Sequence, residues 1–172
     1  MLSFIKQSLL HPRRTGAIAP SSRHLAQAML EPVDFAHAKH IVELGPGTGV
    51  FTRMILLRMR KDARLTVIEL NPLFCKNLKN VRDPRLTIIN GDARDLSSVK
   101  HADYVISSLP LNAFNKSDRI KIIHEIKHIT DSYIQFQYFP FGEKYFKENF
   151  KVRRKFVLKN IPPAIVYTAS VN

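Results

Sequence analysis

The 172-residue sequence holds one cysteine, Cys75, and no tryptophan, and only 14 acidic residues stand against 27 lysines and arginines. A single thiol excludes an intrachain disulfide framework and every multi-cysteine zinc pattern, so a reducing compartment is the simplest setting. No apolar run approaches the length of a membrane-spanning helix. The shortage of acids leaves a net charge of +13 and a sequence pI near 10.1. Such a field selects polyanionic partners, nucleic acid or an anionic membrane surface, without choosing between them. There are no internal repeats, low-complexity tracts or linkers, and the length suits one domain over residues 1–172.

What is present alternates. Met1 to Leu10 carries Leu2, Phe4, Ile5, Leu9 and Leu10 largely on one side of a helical wheel, and Pro12 stops that helix. Ser21 or Ser22 can cap a second helix ending at Leu30, so residues 1–30 read as an amino-terminal helical segment. Ile41–Leu44, Leu65–Ile68, Leu86–Ile89, Tyr104–Ile106 and Tyr133–Tyr138 read as strands. Helices are predicted at Val50–Met59, Pro72–Asn80 and Ile120–Ile129. Lys155–Leu158 and Ala164–Thr168 form a terminal strand pair. Strands separated by helices predict an α/β fold with a parallel sheet covered on both faces, and the pair without a helix predicts one antiparallel strand at the end.

Three polar turns follow the first three strands. Glu43-Leu44-Gly45-Pro46-Gly47-Thr48-Gly49 links a strand to a helix, where glycines permit tight turning and close backbone approach to a ligand. It is not a P-loop, because no Gly-Lys-Ser or Gly-Lys-Thr follows. Glu69 ends the second strand at the spacing of a carboxylate that accepts hydrogen bonds from ribose hydroxyls. Asn90-Gly91-Asp92-Ala93 ends the third. Any one of these serves equally well as a plain turn; in order and in register they converge on one crevice at the carboxyl ends of the strands.

These motifs, with the later Ser107-Ser108-Leu109-Pro110-Leu111, resemble motifs one to four of class I S-adenosylmethionine-dependent methyltransferases. The resemblance implies a Rossmann-like fold, a seven-stranded sheet with its last strand antiparallel, and S-adenosyl-L-methionine as cofactor. It implies that Glu43 and the turn of Gly45, Gly47, Thr48 and Gly49 border the methionine moiety, that Glu69 holds the ribose, and that Asp92 with the Ala93 amide reads the adenine. Asn71 and Ser107 complete the implied cofactor set. The Gly-x-Gly-x-Gly spacing disfavours dehydrogenases.

A narrower resemblance joins Pro12-Arg13-Arg14-Thr15-Gly16-Ala17-Ile18-Ala19-Pro20-Ser21-Ser22 and Ser108-Leu109-Pro110-Leu111 to the bacterial phospholipid N-methyltransferases, which methylate the amine of phosphatidylethanolamine. It makes residues 1–22 part of the enzyme rather than a removable leader. It also implies a cytoplasmic protein held peripherally on the inner face of the membrane, with no obligate protein partner. An amphipathic helix followed by Arg13 and Arg14 suits an anionic headgroup layer, although such a stripe equally suits a helix packed on its own domain. Lys144, Lys147, Lys151, Arg153, Arg154, Lys155 and Lys159, interleaved with Tyr145, Phe146, Phe150 and Phe156, form a second basic and aromatic stretch that fits an interface.

RNA is the rival acceptor, since ribosomal RNA adenine dimethyltransferases share the fold and the charge suits phosphates. Base methylation resembles a motif with a polar side chain that holds the amine and a ring that stacks on the base. Ser108-Leu109-Pro110-Leu111 offers neither amide nor ring. A small soluble amine is the third reading. Methyl transfer needs an unprotonated amine aligned with the donor methyl, so Ser108 and Pro110 of the fourth turn and Tyr138 at the end of the fifth strand are the catalytic candidates. Tyr138 also reads as a core tyrosine. No metal is implied, and no histidine has a carboxylate at a spacing that marks a general base.

Overall fold

The computed structural model describes residues 23–138, 147–148, 150–160 and 162–170. The expected Met1–Leu10 helix, the Pro12–Ser22 motif and Lys144, Tyr145 and Phe146 lie outside them. In chain order the described elements are α1 (Arg23–Leu30), β1 (His40–Leu44), α2 (Val50–Arg58), β2 (Arg64–Glu69), α3 (Pro72–Leu78), β3 (Leu86–Asn90), β4 (Tyr104–Ser107), α4 (Lys116–Ile129), β5 (Ser132–Gln137), β6 (Lys151–Val157) and β7 (Ala164–Ser170).

The strands form one seven-stranded sheet in the order β3-β2-β1-β4-β5-β7-β6. The pairs β3-β2, β2-β1, β1-β4 and β4-β5 are parallel. β7 runs antiparallel to both β5 and β6, so it alone is reversed, as the terminal strand pair implied. The order reverses between β1 and β4, and this switch opens a crevice beyond the carboxyl ends of the strands.

Alternation along the buried strands divides the core in two. Ile41, Leu65, Val67, Ile106, Ile134 and Phe136 face α1 and α2, where Leu25, Met29, Phe51 and Ile55 pack against them. Val42, Leu44, Val105 and Tyr133 face α4, whose Ile122, Ile123, Ile126 and Ile129 close the other side. Helices therefore cover both faces. None among the described residues is long and apolar enough to cross a membrane.

Several boundaries differ from the periodicity reading. α4 starts at Lys116, four residues before its apolar stripe, because Asn115 caps it: the Asn115 side chain accepts from the Asp118 amide at 2.8 Å. α3 stops at Leu78; its start is fixed by Asn71, which accepts from the Leu73 amide at 2.9 Å, and by Pro72 in the first turn. β6 reaches back to Lys151, well before Lys155. It is an edge strand and mostly exposed, so its residues show no buried alternation to read.

Candidate active site

The crevice is built on the turn after β1. Gly45, Gly47 and Gly49 all have positive φ, at 69°, 54° and 78°. Gly47 is the informative one: a Cβ there would meet nothing within 4 Å, so the turn presents bare backbone to open space. Its amide donates to Glu69 Oε2 at 3.0 Å, and the Asn71 amide donates to Glu69 Oε1 at 2.8 Å. Burial pushes the Glu69 carboxyl up, against these two amides, which favour the anion. Asn90 secures the same corner from β3, its Nδ2 donating to the carbonyls of Glu69 at 2.8 Å and Leu70 at 3.1 Å.

Glu43 is fully buried beneath α2. Thr52 Oγ1 donates to its Oε2 at 2.6 Å, while Oε1 has no partner among the described residues. Burial pushes this carboxyl up to about 8, and the neighbouring charge of Glu69 adds to the effect.

Asp92 does not stand free. Arg94 binds its carboxylate through Nε at 3.0 Å and Nη2 at 2.5 Å, and the Arg94 amide adds a bond of 2.9 Å. Burial alone would raise the Asp92 carboxyl, but the arginine holds it below the usual range. Arg94 also reaches Asp118 Oδ1 of α4 at 3.1 Å, so the turn after β3 is tied to α4. Ala93 is buried in the α4-side core.

The turn after β4 is held from two directions. The Ser108 amide donates to the Leu44 carbonyl at 3.0 Å, and the Leu109 amide to Ser107 Oγ at 3.2 Å. Pro110, at φ −76° and ψ 72°, centres a tight three-residue turn closed by the Leu111 amide on the Leu109 carbonyl at 2.8 Å. From β5, Gln135 Nε2 donates to that same Leu109 carbonyl at 3.0 Å, and Gln135 Oε1 accepts from the Tyr133 hydroxyl at 2.6 Å. Leu109 Cδ2 would lie 2.9 Å from a Cβ on Gly45, so the first and fourth turns touch where a larger residue cannot enter.

Several polar atoms at these strand ends are buried without a partner among the described residues: Glu43 Oε1, Ser108 Oγ, the Tyr138 hydroxyl and both amide atoms of Gln137. Tyr138 lies just past β5, its ring edge-on to Phe136 at 5.5 Å, and burial pushes its phenol up. His40, by contrast, opens β1 at the opposite end of the sheet and is spent on Thr66 Oγ1 at 3.0 Å and the His101 carbonyl at 2.9 Å. The described residues contain no group of three or more metal-ligating side chains.

These features fit the cofactor that the motifs imply. The backbone at Gly47 is bare, the Glu69 carboxylate has lone pairs beyond its two amide bonds, and Glu43 Oε1 has no partner among the described residues. Asp92 enters such a site together with Arg94, which the motif reading left out. Thr52 and Gln135 are further polar groups of the crevice that the motifs do not mark. Gln135 had a signal: with Gln137 it puts polar side chains at alternate positions of a strand that is otherwise buried.

Residues 21–159 match the family described as Ribosomal RNA adenine dimethylase. The chain is similar to the ornithine lipid N-methyltransferase of Singulisphaera acidiphila, 28% identical over 95% of this chain and 92% of that protein. It is also similar to ribosomal RNA small subunit methyltransferase A of Hydrogenobaculum sp., 32% identical over 71% of this chain and 48% of that protein. The fold resembles the N-methyltransferase NodS from Bradyrhizobium japonicum solved with S-adenosyl-L-homocysteine, at a TM-score of 0.71 and 11% identity, covering 98% and 97% of the two chains.

Proposed function

The chain belongs to the ribosomal RNA adenine dimethylase family of S-adenosylmethionine-dependent methyltransferases, and from that premise we propose that its acceptor is the amine of a membrane lipid, an aminophospholipid such as phosphatidylethanolamine or another aminolipid.

The turn after β4 carries this reading. A base offered for methylation is gripped by a polar side chain and a stacking ring. Here the corresponding stretch presents Ser108 and Leu111, and Leu111 is 2% exposed, turned into the core. A hydroxyl and a bent backbone suit a small, flexible amine better than a planar base. The similarity to an ornithine lipid N-methyltransferase along nearly the whole of both chains supports the same choice.

The surface of β6 is consistent with a lipid interface. Phe156 on β6 and Leu158 just past it are 62% and 76% exposed; strand alternation puts exposed Arg154 on the face of Phe156, with Lys151, Arg153 and Lys155 exposed on the other. Apolar tips beside a cation suit a headgroup layer with anionic lipid.

S-adenosylmethionine supplies an electrophilic methyl carbon to the crevice. Glu69 and the Gly47 amide fix the cofactor turn, and Gln135 fixes the Leu109 carbonyl, so that the acceptor nitrogen meets a preset position. Ser108 Oγ and the Tyr138 hydroxyl, both without a partner among the described residues, are the groups assigned to the amine. Both oxygens are buried, which keeps bulk water from a reaction that needs the unprotonated nitrogen.

RNA is the second reading, favoured by the family match itself and by the ribosomal RNA methyltransferase relatives. Incubation with labelled cofactor and either anionic vesicles containing aminolipid or undermodified small-subunit ribosomal RNA separates them. Label is expected in the lipid; label in the RNA and not in the lipid overturns the proposal.

A further inference from the structure

We propose that Gln137 is a further receptor for the acceptor amine, besides Ser108 and Tyr138: its side-chain oxygen accepts a hydrogen bond from an amine N–H, and its NH2 donates to an oxyanion on the same molecule. The inference rests on the lipid-amine reading above and names the chemistry that reading requires.

Gln137 is 5% exposed, and neither its Oε1 nor its Nε2 has a partner among the described residues. A buried amide with both ends unpaired is costly, and such groups call for a specific reason. Its place in the sheet supplies one. Ser107 of β4 pairs with Gln135 of β5, so Gln137, two residues on, carries β5 beyond the end of β4, beside which the fourth turn begins. Strand alternation puts it on the same face as Gln135. The two glutamines differ in how they are used. Gln135 is fully engaged, with Tyr133, Leu109 and Phe136 as partners. Gln137 is also buried, and its donor and acceptor have no partner among the described residues. The fourth turn lacks the amide that grips a base in relatives acting on nucleic acid, and the neighbouring strand brings one to the same edge.

The choice of an amide has a physical reason. Only a neutral amine can attack: the nitrogen lone pair forms the new N–C bond as the donor's C–S bond breaks onto sulfur, and an N–H proton then passes to water. A carboxylate at this point would favour the ammonium form and suppress the nucleophile. An amide oxygen orients an N–H without a charge that holds the proton. The NH2 then matches an oxygen acid within the same headgroup, a phosphodiester or a carboxylate. Both chemistries pair an amine with an oxyanion.

The test uses the full chain, wild type and the variants Gln137→Leu and Gln137→Glu, with micelles of short-chain phosphatidylethanolamine in one arm and short-chain ornithine lipid in the other. Lipid binding without cofactor, S-adenosylmethionine binding by calorimetry, and the pH dependence of methyl transfer are measured. Gln137→Leu should weaken binding of the lipid that the wild type prefers by about tenfold. Gln137→Glu should lower kcat without raising KM and move the rise of rate to higher pH, with cofactor affinity unchanged in both variants. Lipid binding and pH profiles identical to wild type overturn the inference, as does loss of cofactor affinity in both variants, which makes Gln137 a structural prop. A wild type that methylates neither lipid overturns the lipid reading and this inference with it; an active wild type with indifferent variants overturns this inference alone.

Discussion

The Gly47 amide donates to Glu69 Oε2 at 3.0 Å, joining the turn after β1 to the end of β2 across 22 residues of sequence. The carboxylate expected to hold a ribose therefore also shapes the backbone against which the rest of the cofactor lies. Its other oxygen accepts the Asn71 amide, so one buried side chain sets two of the turns that form the crevice.

Glu69→Ala should abolish tight S-adenosylmethionine binding, with affinity reduced by at least about a hundredfold, since a charge-assisted pairing to ligand and the order of the turn are lost together. Glu69→Gln keeps the volume but sets an NH2 group against one of the two backbone amides, so it too should bind weakly. Calorimetric titration of the cofactor measures both, and unchanged affinity removes the ribose assignment.

Gly47→Ala isolates the role of bare backbone. At φ 54° an alanine costs about 1 kcal/mol of strain, while its Cβ meets no protein atom within 4 Å. The melting temperature should fall only slightly, and cofactor affinity should fall sharply because the methyl group occupies the ligand's approach. A variant that binds normally shows that the ligand does not approach this turn.

Glu43 predicts a pH dependence of stability. Burial raises its carboxyl to about 8 in the folded chain, so between the ordinary glutamate value and about 8 the folded state keeps a proton that the unfolded chain has released. Stability from this group is full below the unfolded value and is lost as pH rises through that window, with a slope of up to about 1.4 kcal/mol per pH unit. Glu43→Gln mimics the protonated form and should remove the slope. Melting curves of both proteins from about pH 5 to about pH 9 check the difference.

Gln135→Leu should cost roughly 1–3 kcal/mol by leaving the Tyr133 hydroxyl and the Leu109 carbonyl without this partner. Freed from β5, the fourth turn should misplace the acceptor, so kcat should drop by more than cofactor affinity. Denaturant unfolding together with steady-state rates separates the two effects.

Phe156→Ser combined with Leu158→Ser should reduce binding to anionic vesicles and leave cofactor affinity unchanged, because both side chains are exposed, on an edge strand and just past its end, away from the glycine turn. Vesicle sedimentation at low salt measures the loss, and undiminished binding removes β6 from the interface.

The sequence by itself determined the fold class, the strand sequence and the crevice. Buried strands write their period into runs such as Ile41–Leu44 and Leu65–Ile68, and positive-φ turns demand glycine at Gly45, Gly47 and Gly49. Glu69 and Asp92 were legible because each lies at or just past the carboxyl end of a predicted strand. Tertiary structure alone decided how those residues are used. Arg94 occupies Asp92, Gln135 holds a carbonyl 26 residues away, and Gln137 at the next position on that face keeps its amide unspent. The two glutamines are the same residue type in the same alternation, so no local pattern distinguishes them. What separates them is the strand order, which sets β5 beside the turn after β4 and gives one amide a partner there and the other none among the described residues.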